Sequence, residues 1–375
     1  MAGIYIHIPF CKRKCFYCDF HKSTHFTQKN EIISGICTEI LLRKSYLSEE
    51  PVETIYFGGG TPSILPIQDI KTILSLINKT FRISPDAEIT LEANPDDLNP
   101  DYCTALIQAG INRLSIGIQS FNDKDLKLMN RRHCAQDAID SVKNAQKAGF
   151  NNISIDLIYG LPEMKLSDWL LNLDQAFALN IQHLSAYHLT YHENTVFHQY
   201  LKKGKIKAVP EDDSFAQFNL LIEQATLHKF IHYEISNFAL PGYFSRHNSS
   251  YWQNKKYLGV GPSAHSFDGH SRQWNSSDNN AYLEALNKNL PFYEREELSL
   301  NDRYNDYIIT TLRTIWGSSL SYIHQEFGEA YLKHAESVVD RFKDSGHLIV
   351  ENEMITLSRE GLFVSDDLMT EFMIV

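Results

Sequence analysis

Between residues 4 and 189 the chain alternates short apolar runs with longer amphipathic stretches, and this alternation restricts the fold more than any other feature. Extended runs fall at 4–10, 54–57, 88–92, 113–118, 153–158 and 183–189. Helical patterns fill the intervals at 31–43, 67–80, 102–108, 135–148 and 168–179. Strand and helix in strict alternation predict a parallel sheet with crossover helices. Six such strands joined by right-handed crossovers curl into an incomplete (β/α)6-type barrel, whose functional groups gather at the carboxyl ends of the strands. A doubly wound sheet is the competing topology, and it would confine the site to one switch point.

Past residue 195 the pattern loosens. A long helix is expected at 215–228 and a strand-like run at 230–236, followed by a loop-rich stretch to about 278 that reads as a cover over the barrel. From 301 the texture changes to helices at 303–314, 320–327 and 331–344, two short apolar strands around 351–353 and a last helix. That order predicts a small winged-helix-like α+β module. The division expected is therefore 1–240 for the barrel, 241–300 for the connecting cover and 301–375 for the module. The last segment lacks a basic face and the formal net charge is −11, so nucleic acid is not an expected partner. No uncharged apolar stretch approaches the length that spans a bilayer, and the first strand-like run starts within four residues of Met1, leaving no room for a signal peptide. The expected compartment is the cytoplasm, whose reducing conditions suit the free thiols.

Chemistry concentrates just after the first run, where Cys11, Cys15 and Cys18 are spaced C-x-x-x-C-x-x-C. Three thiolates on one tight loop can hold three irons of a cubane [4Fe-4S] cluster and leave the fourth open to an exchangeable ligand. A structural zinc site is the competing reading. It needs a fourth ligand, for which only His21 or His25 is near, and usually a second cysteine pair. Lys12, Arg13 and Lys14 sit between the first two cysteines, where positive charge offsets a cluster or docks an acidic partner. Cys37, Cys103 and Cys134 are isolated and read as packing residues. Further along, Gly58-Gly59-Gly60-Thr61-Pro62 follows the second run, where missing side chains would let backbone approach a ligand. Glu92 and Gln119 close the third and fourth runs. Asp156 interrupts the apolar run Ile153-Ser154-Ile155-Asp156-Leu157, and a carboxylate placed there needs a partner to offset its burial.

Together these motifs resemble the radical S-adenosylmethionine (SAM) superfamily, in which SAM chelates the open iron through its amino and carboxylate groups. The resemblance implies SAM contacts from Tyr5, Tyr17, Gly59, Gly60, Thr61, Glu92, Gln119, Arg131 and Asp156, with Arg131 pairing the SAM carboxylate. Nearly end to end, the pattern is similar to the oxygen-independent coproporphyrinogen III oxidase group. The oxidases of that group carry a fourth cysteine two places after the third and an N-terminal extension. Here Phe20 holds that place, and the chain resembles instead the HemW family of haem chaperones. That resemblance implies a SAM-coordinated cluster and bound haem. It also implies a haem-acceptor protein and an electron donor such as a flavodoxin-like protein. The segment Arg246-His247-Asn248-Ser249-Ser250-Tyr251-Trp252 matches the family's H-N-x-x-Y-W motif, which implies haem contacts from His247, Asn248, Tyr251 and Trp252. A loop histidine packed beside core aromatics is the plainer alternative. Radical SAM oxidative decarboxylation of coproporphyrinogen III is the alternative function, opposed by Phe20; a simple electron-transfer module is the third. Tyr191-His192-Glu193-Asn194 and Gly261-Pro262-Ser263-Ala264-His265-Ser266 depart from the usual family text.

Overall fold

The computed structural model describes residues 2–374. Its first half is the expected alternation: β1 (Ala2–Ile8), α1 (Lys29–Leu42), β2 (Val52–Gly59), α2 (Ile67–Thr80), β3 (Ile83–Ala93), α3 (Pro100–Gln108), β4 (Arg113–Gln119), α4 (Asp123–Leu128), α5 (Ala135–Ala148), β5 (Ile153–Tyr159), α6 (Leu166–Ala178) and β6 (His183–His188). These strands are apolar runs because both faces are covered, as in parallel sheets generally. Ile4, Ile6 and Ile8 of β1 are all fully buried. The helices bury a single stripe, Ile70, Ile73, Leu74 and Ile77 in α2, at the spacing of one helical face. Asn99 caps α3 by accepting from the Tyr102 amide, with Pro100 at the first helical position. Gly149, at φ 109°, closes α5 in the left-handed conformation.

Strands β1 to β6 lie side by side in chain order and are all parallel. With no reversal of order among them there is no switch point, which sets aside the doubly wound alternative.

The second half holds α7 (Val196–Lys202), α8 (Glu211–Leu227), β7 (Ile231–Glu234), β8 (Asn237–Ala239), α9 (Arg246–Trp252), β9 (Lys256–Val260), β10 (His265–Phe267), β11 (Ser271–Asn275), α10 (Asn279–Asn287) and β12 (Tyr293–Glu297). Residues 241–300 are thus not a loop-rich cover. They extend the sheet to twelve strands, in the order β12-β11-β10-β9-β1-β2-β3-β4-β5-β6-β8-β7. β9 runs parallel to β1 along its other edge, pairing Ala2–Ile6 with Lys256–Val260. The strands of this extension are only three to five residues long, too short for their alternation to be read from sequence.

The extension is locked to the barrel by a buried carboxylate. Glu39 of α1 accepts from the Gly261 amide at 2.8 Å, Asn275 Nδ2 at 2.8 Å and the Tyr282 hydroxyl at 2.7 Å, and pairs with Arg43 at 3.4 Å. One hydrophobic core runs from Ala2 to Phe292. A second, from Tyr304 to Phe372, is enclosed by α11 (Leu300–Leu312), β13 (Ser318–Ser319), α12 (Leu320–Phe327), α13 (Glu329–Phe342), β14 (Leu348–Glu351), β15 (Met354–Leu357), α14 (Arg359–Phe363) and α15 (Ser365–Phe372). Its strands order as β13-β15-β14, a small antiparallel wing on a helical base.

Candidate functional site

The carboxyl ends of β1 to β6 surround a cavity of 410 Å³. Cys11, Cys15 and Cys18 enter it on the loop after β1, which is pinned at several points. Ser23 N donates to Pro9 O and Cys11 N to Ser23 O, at 2.7 and 2.9 Å. Phe16 N reaches across to Met129 O at 3.1 Å. Each sulfur meets a different donor: Thr61 Oγ1 at 3.3 Å from Cys11, Arg131 at 3.4 Å from Cys15 and Lys22 Nζ at 2.7 Å from Cys18. Lys22 was missed in the sequence; its only signal is a positive charge four residues after the last cysteine.

The glycine turn is packed against the cysteine loop. A Cβ on Gly60 would stand 2.6 Å from Phe10 O and 2.8 Å from Ile8 O, and one on Gly59, at φ 105°, would enter the His7 ring. The cysteine loop and His7 already occupy the space a side chain would need, which by itself demands glycine at both positions. Gly59, Gly60 and Thr61 still edge the cavity. Of the basic trio, Lys12 is committed to Asp97 at 2.6 Å, alongside Arg132 and Ser63, and Arg13 donates to Arg131 O at 3.3 Å. Lys14 is exposed.

Glu92, Gln119 and Asp156 line the same cavity as the cysteines. Gln119 lies past an irregularity in the β4–β5 register and has φ 68°, a costly conformation for a side-chain-bearing residue that turns it into the cavity mouth. Glu92 accepts from the Tyr56 hydroxyl at 2.8 Å and Asp156 from Ser115 Oγ at 3.2 Å. Burial raises the Glu92 carboxyl to about 7, the Tyr56 hydrogen bond partly opposing this. Burial likewise raises Asp156 to about 6, against hydrogen bonds from Ser185 and Ser115. Arg131 also donates to Asn94 Oδ1 at 2.7 Å and Gly117 O at 2.5 Å and reaches the Tyr17 hydroxyl at 3.5 Å, while its buried Nε has no partner. Tyr17 lines the cavity beside it.

Tyr5 is the expected SAM contact that does not reach this cavity. Its ring sits 6.1 and 6.3 Å from those of Tyr56 and His247, which stack on each other at 4.9 Å, and its hydroxyl is 3.2 Å from His7 Nδ1. Tyr5 instead lines a second cavity, of 530 Å³, together with Tyr251 and Trp252. Phe20, 68% exposed, borders both. The H-N-x-x-Y-W segment is helix α9, capped by Ser245 accepting from the Asn248 amide. Its histidine is not presented as a free ligand. His247 is fully buried, with Nδ1 2.8 Å from Thr54 Oγ1 and Nε2 2.8 Å from the Tyr251 hydroxyl. Burial, with the Arg113 charge, lowers its pKa to about 3. Neither His247 nor Asn248 lines the second cavity. Trp252 lies under the Arg313 guanidinium, 4.0 Å from its ring centre, which ties α9 to the C-terminal module.

Residues 5–175 match the Radical SAM superfamily. Over 378 aligned residues the chain is 31% identical to the Heme chaperone HemW of Bacillus subtilis, covering 100% of this chain and 99% of that one. The chain belongs to the HemW family. The HemW of Escherichia coli is 37% identical over 269 residues, 70% of this chain and 69% of that one. In fold, the chain is similar to the coproporphyrinogen III oxidase HemN from Escherichia coli, with a TM-score of 0.86 at 23% identity over 99% of this chain and 89% of that one.

As a radical SAM family, HemW implies a [4Fe-4S] cluster and SAM, and the first cavity fits both. Among the described residues no three His, Cys, Asp or Glu close on a point that would hold a single metal ion. The three thiols line the same cavity, each with its own donor, an arrangement that suits a multi-iron group. Arg131, Glu92 and Asp156 line the rest of the same cavity, a set of charges suited to a ligand carrying both a carboxylate and positive charge. Among the described residues no helix is long and apolar enough to cross a membrane.

Proposed function

We propose that this protein binds haem and passes it to an acceptor protein, and that it carries a SAM-coordinated [4Fe-4S] cluster. The observation that carries the reading is the similarity, over essentially the whole of both chains, to a relative named as a haem chaperone. Cys11, Cys15 and Cys18 hold the cluster. Tyr17, Gly59, Gly60, Thr61, Glu92, Gln119, Arg131 and Asp156 form the SAM chamber, and the bound group supplies a reductively cleavable sulfonium there. The chain's own part is to hold SAM by its charged ends, keep water from the chamber and surround the sulfurs with donors. Trp252 and Tyr251 are the motif residues placed to meet haem. The cytoplasm suits six free thiols, and an electron donor of flavodoxin type is the reductant this reading requires.

The alternative, oxidative decarboxylation of coproporphyrinogen III, has the likeness to HemN in its favour, which at 23% identity speaks to fold alone. Against it stands Phe20, whose side chain cannot ligate iron and lies exposed at the cavity mouth.

The test is a haem titration of the anaerobically reconstituted chain, run beside assays for 5′-deoxyadenosine and for decarboxylated porphyrinogen. Tight haem uptake without porphyrinogen turnover is expected. Turnover would replace the chaperone reading with the oxidase one.

A further inference from the structure

The sequence motif points to His247, yet both nitrogens of that ring are engaged and the ring is buried. Its Nε2 is spent on the hydroxyl of Tyr251, which does face the second cavity. Three other histidines line that cavity. His7 is buried, with one nitrogen on the Tyr5 hydroxyl and the other on His21 O, each at 3.2 Å. His21 has Nε2 on Asn279 Oδ1 at 3.2 Å. His265, at the start of β10, is exposed, and its ring makes no hydrogen bond among the described residues.

Resting on the chaperone reading, we infer that haem occupies the second cavity with His265 as an axial ligand of its iron, and that His247 is a positioning residue that orients Tyr251 against the macrocycle. A flat aromatic ligand is what the walls fit. Tyr5, Tyr251, Trp252, Tyr257 and Phe267 supply apolar ring surface, and 530 Å³ lies within the range of about 300–1,000 Å³ typical of pockets that bury such ligands. Imidazole binds haem iron through a neutral ring nitrogen. Partial burial and the neighbouring Arg272 charge lower the His265 pKa, so the ring is neutral at physiological pH. Phe20, at the lip of both cavities, would then separate haem from the SAM chamber, at the position where a fourth cysteine would otherwise stand.

Haemin is titrated into the full reconstituted chain and into His265→Ala, His265→Met and His247→Ala, with Soret and electron paramagnetic resonance spectra recorded. Cluster absorbance and thermal melting serve as controls for folding. His265→Ala is expected to lose the histidine-ligated spectrum and to bind at least tenfold more weakly. His265→Met should restore binding with a changed ligand signature. His247→Ala should keep the axial-histidine spectrum while weakening binding less. If the unmodified chain takes up no haem, the chaperone reading falls and this site with it. If it takes up haem and His265→Ala leaves spectrum and affinity unchanged, only the site assignment is overturned. Loss of axial histidine in His247→Ala, with His265→Ala unaffected, would return the role to the motif histidine.

Discussion

Glu92 offers the sharpest test of the SAM chamber, because burial holds its carboxyl at about 7 and the neighbouring Asp156 at about 6. A ligand bearing a sulfonium cation is held best when both are ionised. At pH 6.0 a group titrating near 7 is roughly 9% ionised and at pH 8.0 roughly 91%, so Glu92 alone accounts for about a tenfold loss of affinity on acidification. Asp156, about half ionised at pH 6.0, adds roughly twofold, for a total near twentyfold or about 1.8 kcal/mol. SAM's own amino group titrates in the same range, but it does so equally in Glu92→Gln, so the ratio of the two proteins isolates the residue. The assay is anaerobic equilibrium dialysis of SAM against the reconstituted chain and Glu92→Gln from pH 6.0 to 8.0. The ratio of their affinities should change about tenfold across the range. A ratio flat to within twofold would refute the placement of Glu92 against SAM. The same shifts carry a sign for folding. Both carboxyls hold protons to higher pH folded than unfolded, so these groups make the apoprotein less stable as pH rises from about 4 to 7.

Glu39→Ala leaves the Tyr282 hydroxyl and the Gly261 amide without their buried acceptor and takes the carboxylate from Arg43 and Asn275, which keep Gln273 and the Gly261 carbonyl, respectively, as acceptors. It is expected to cost about 3–5 kcal/mol in urea unfolding; a loss under about 1 kcal/mol would contradict the lock between α1 and the sheet extension. Gly60→Ala puts a methyl against the carbonyls of Ile8 and Phe10 and should lower iron and sulfide content after reconstitution, whereas full cluster loading would show that the cysteine loop yields. Lys22→Met removes the ammonium from Cys18, and the cluster's reduction potential should fall by on the order of tens of millivolts in a redox titration, since a donor to sulfur favours the reduced state.

The parallel half of the fold was open to reading because strands covered on both faces are apolar throughout and their helices bury one stripe. The bounds of α2, α5 and α12 coincide with those the pattern gives. The extension β9 to β12 was not, since its short strands depend on distant partners such as Glu39, 236 residues from Asn275. The cysteine trio, Glu92, Gln119, Arg131 and Asp156 do meet around one cavity. Tyr5 does not, because which of two adjoining hollows a strand residue faces depends on neighbours contributed by β9 and α9. The sequence likewise marks His247 as a histidine in the right motif but cannot show that Thr54, 193 residues away, already holds its nitrogen. His265 lay in a segment noted only as a departure from family text.

That β1 is flanked by β2 on one edge and β9 on the other has a consequence for how the protein is made. The ribosome delivers β2 about 200 residues before β9, an interval on the order of 10–40 s at 5–20 residues per second. Throughout it, the strand that leads into the cysteines has only one neighbour, and the segment bearing His265 does not yet exist. The open edge of β1 is therefore closed only after the nascent chain has cleared residue 260, whereas Ser23, Thr61, Met129 and Arg131, which pin the cysteine loop, are all made well before that.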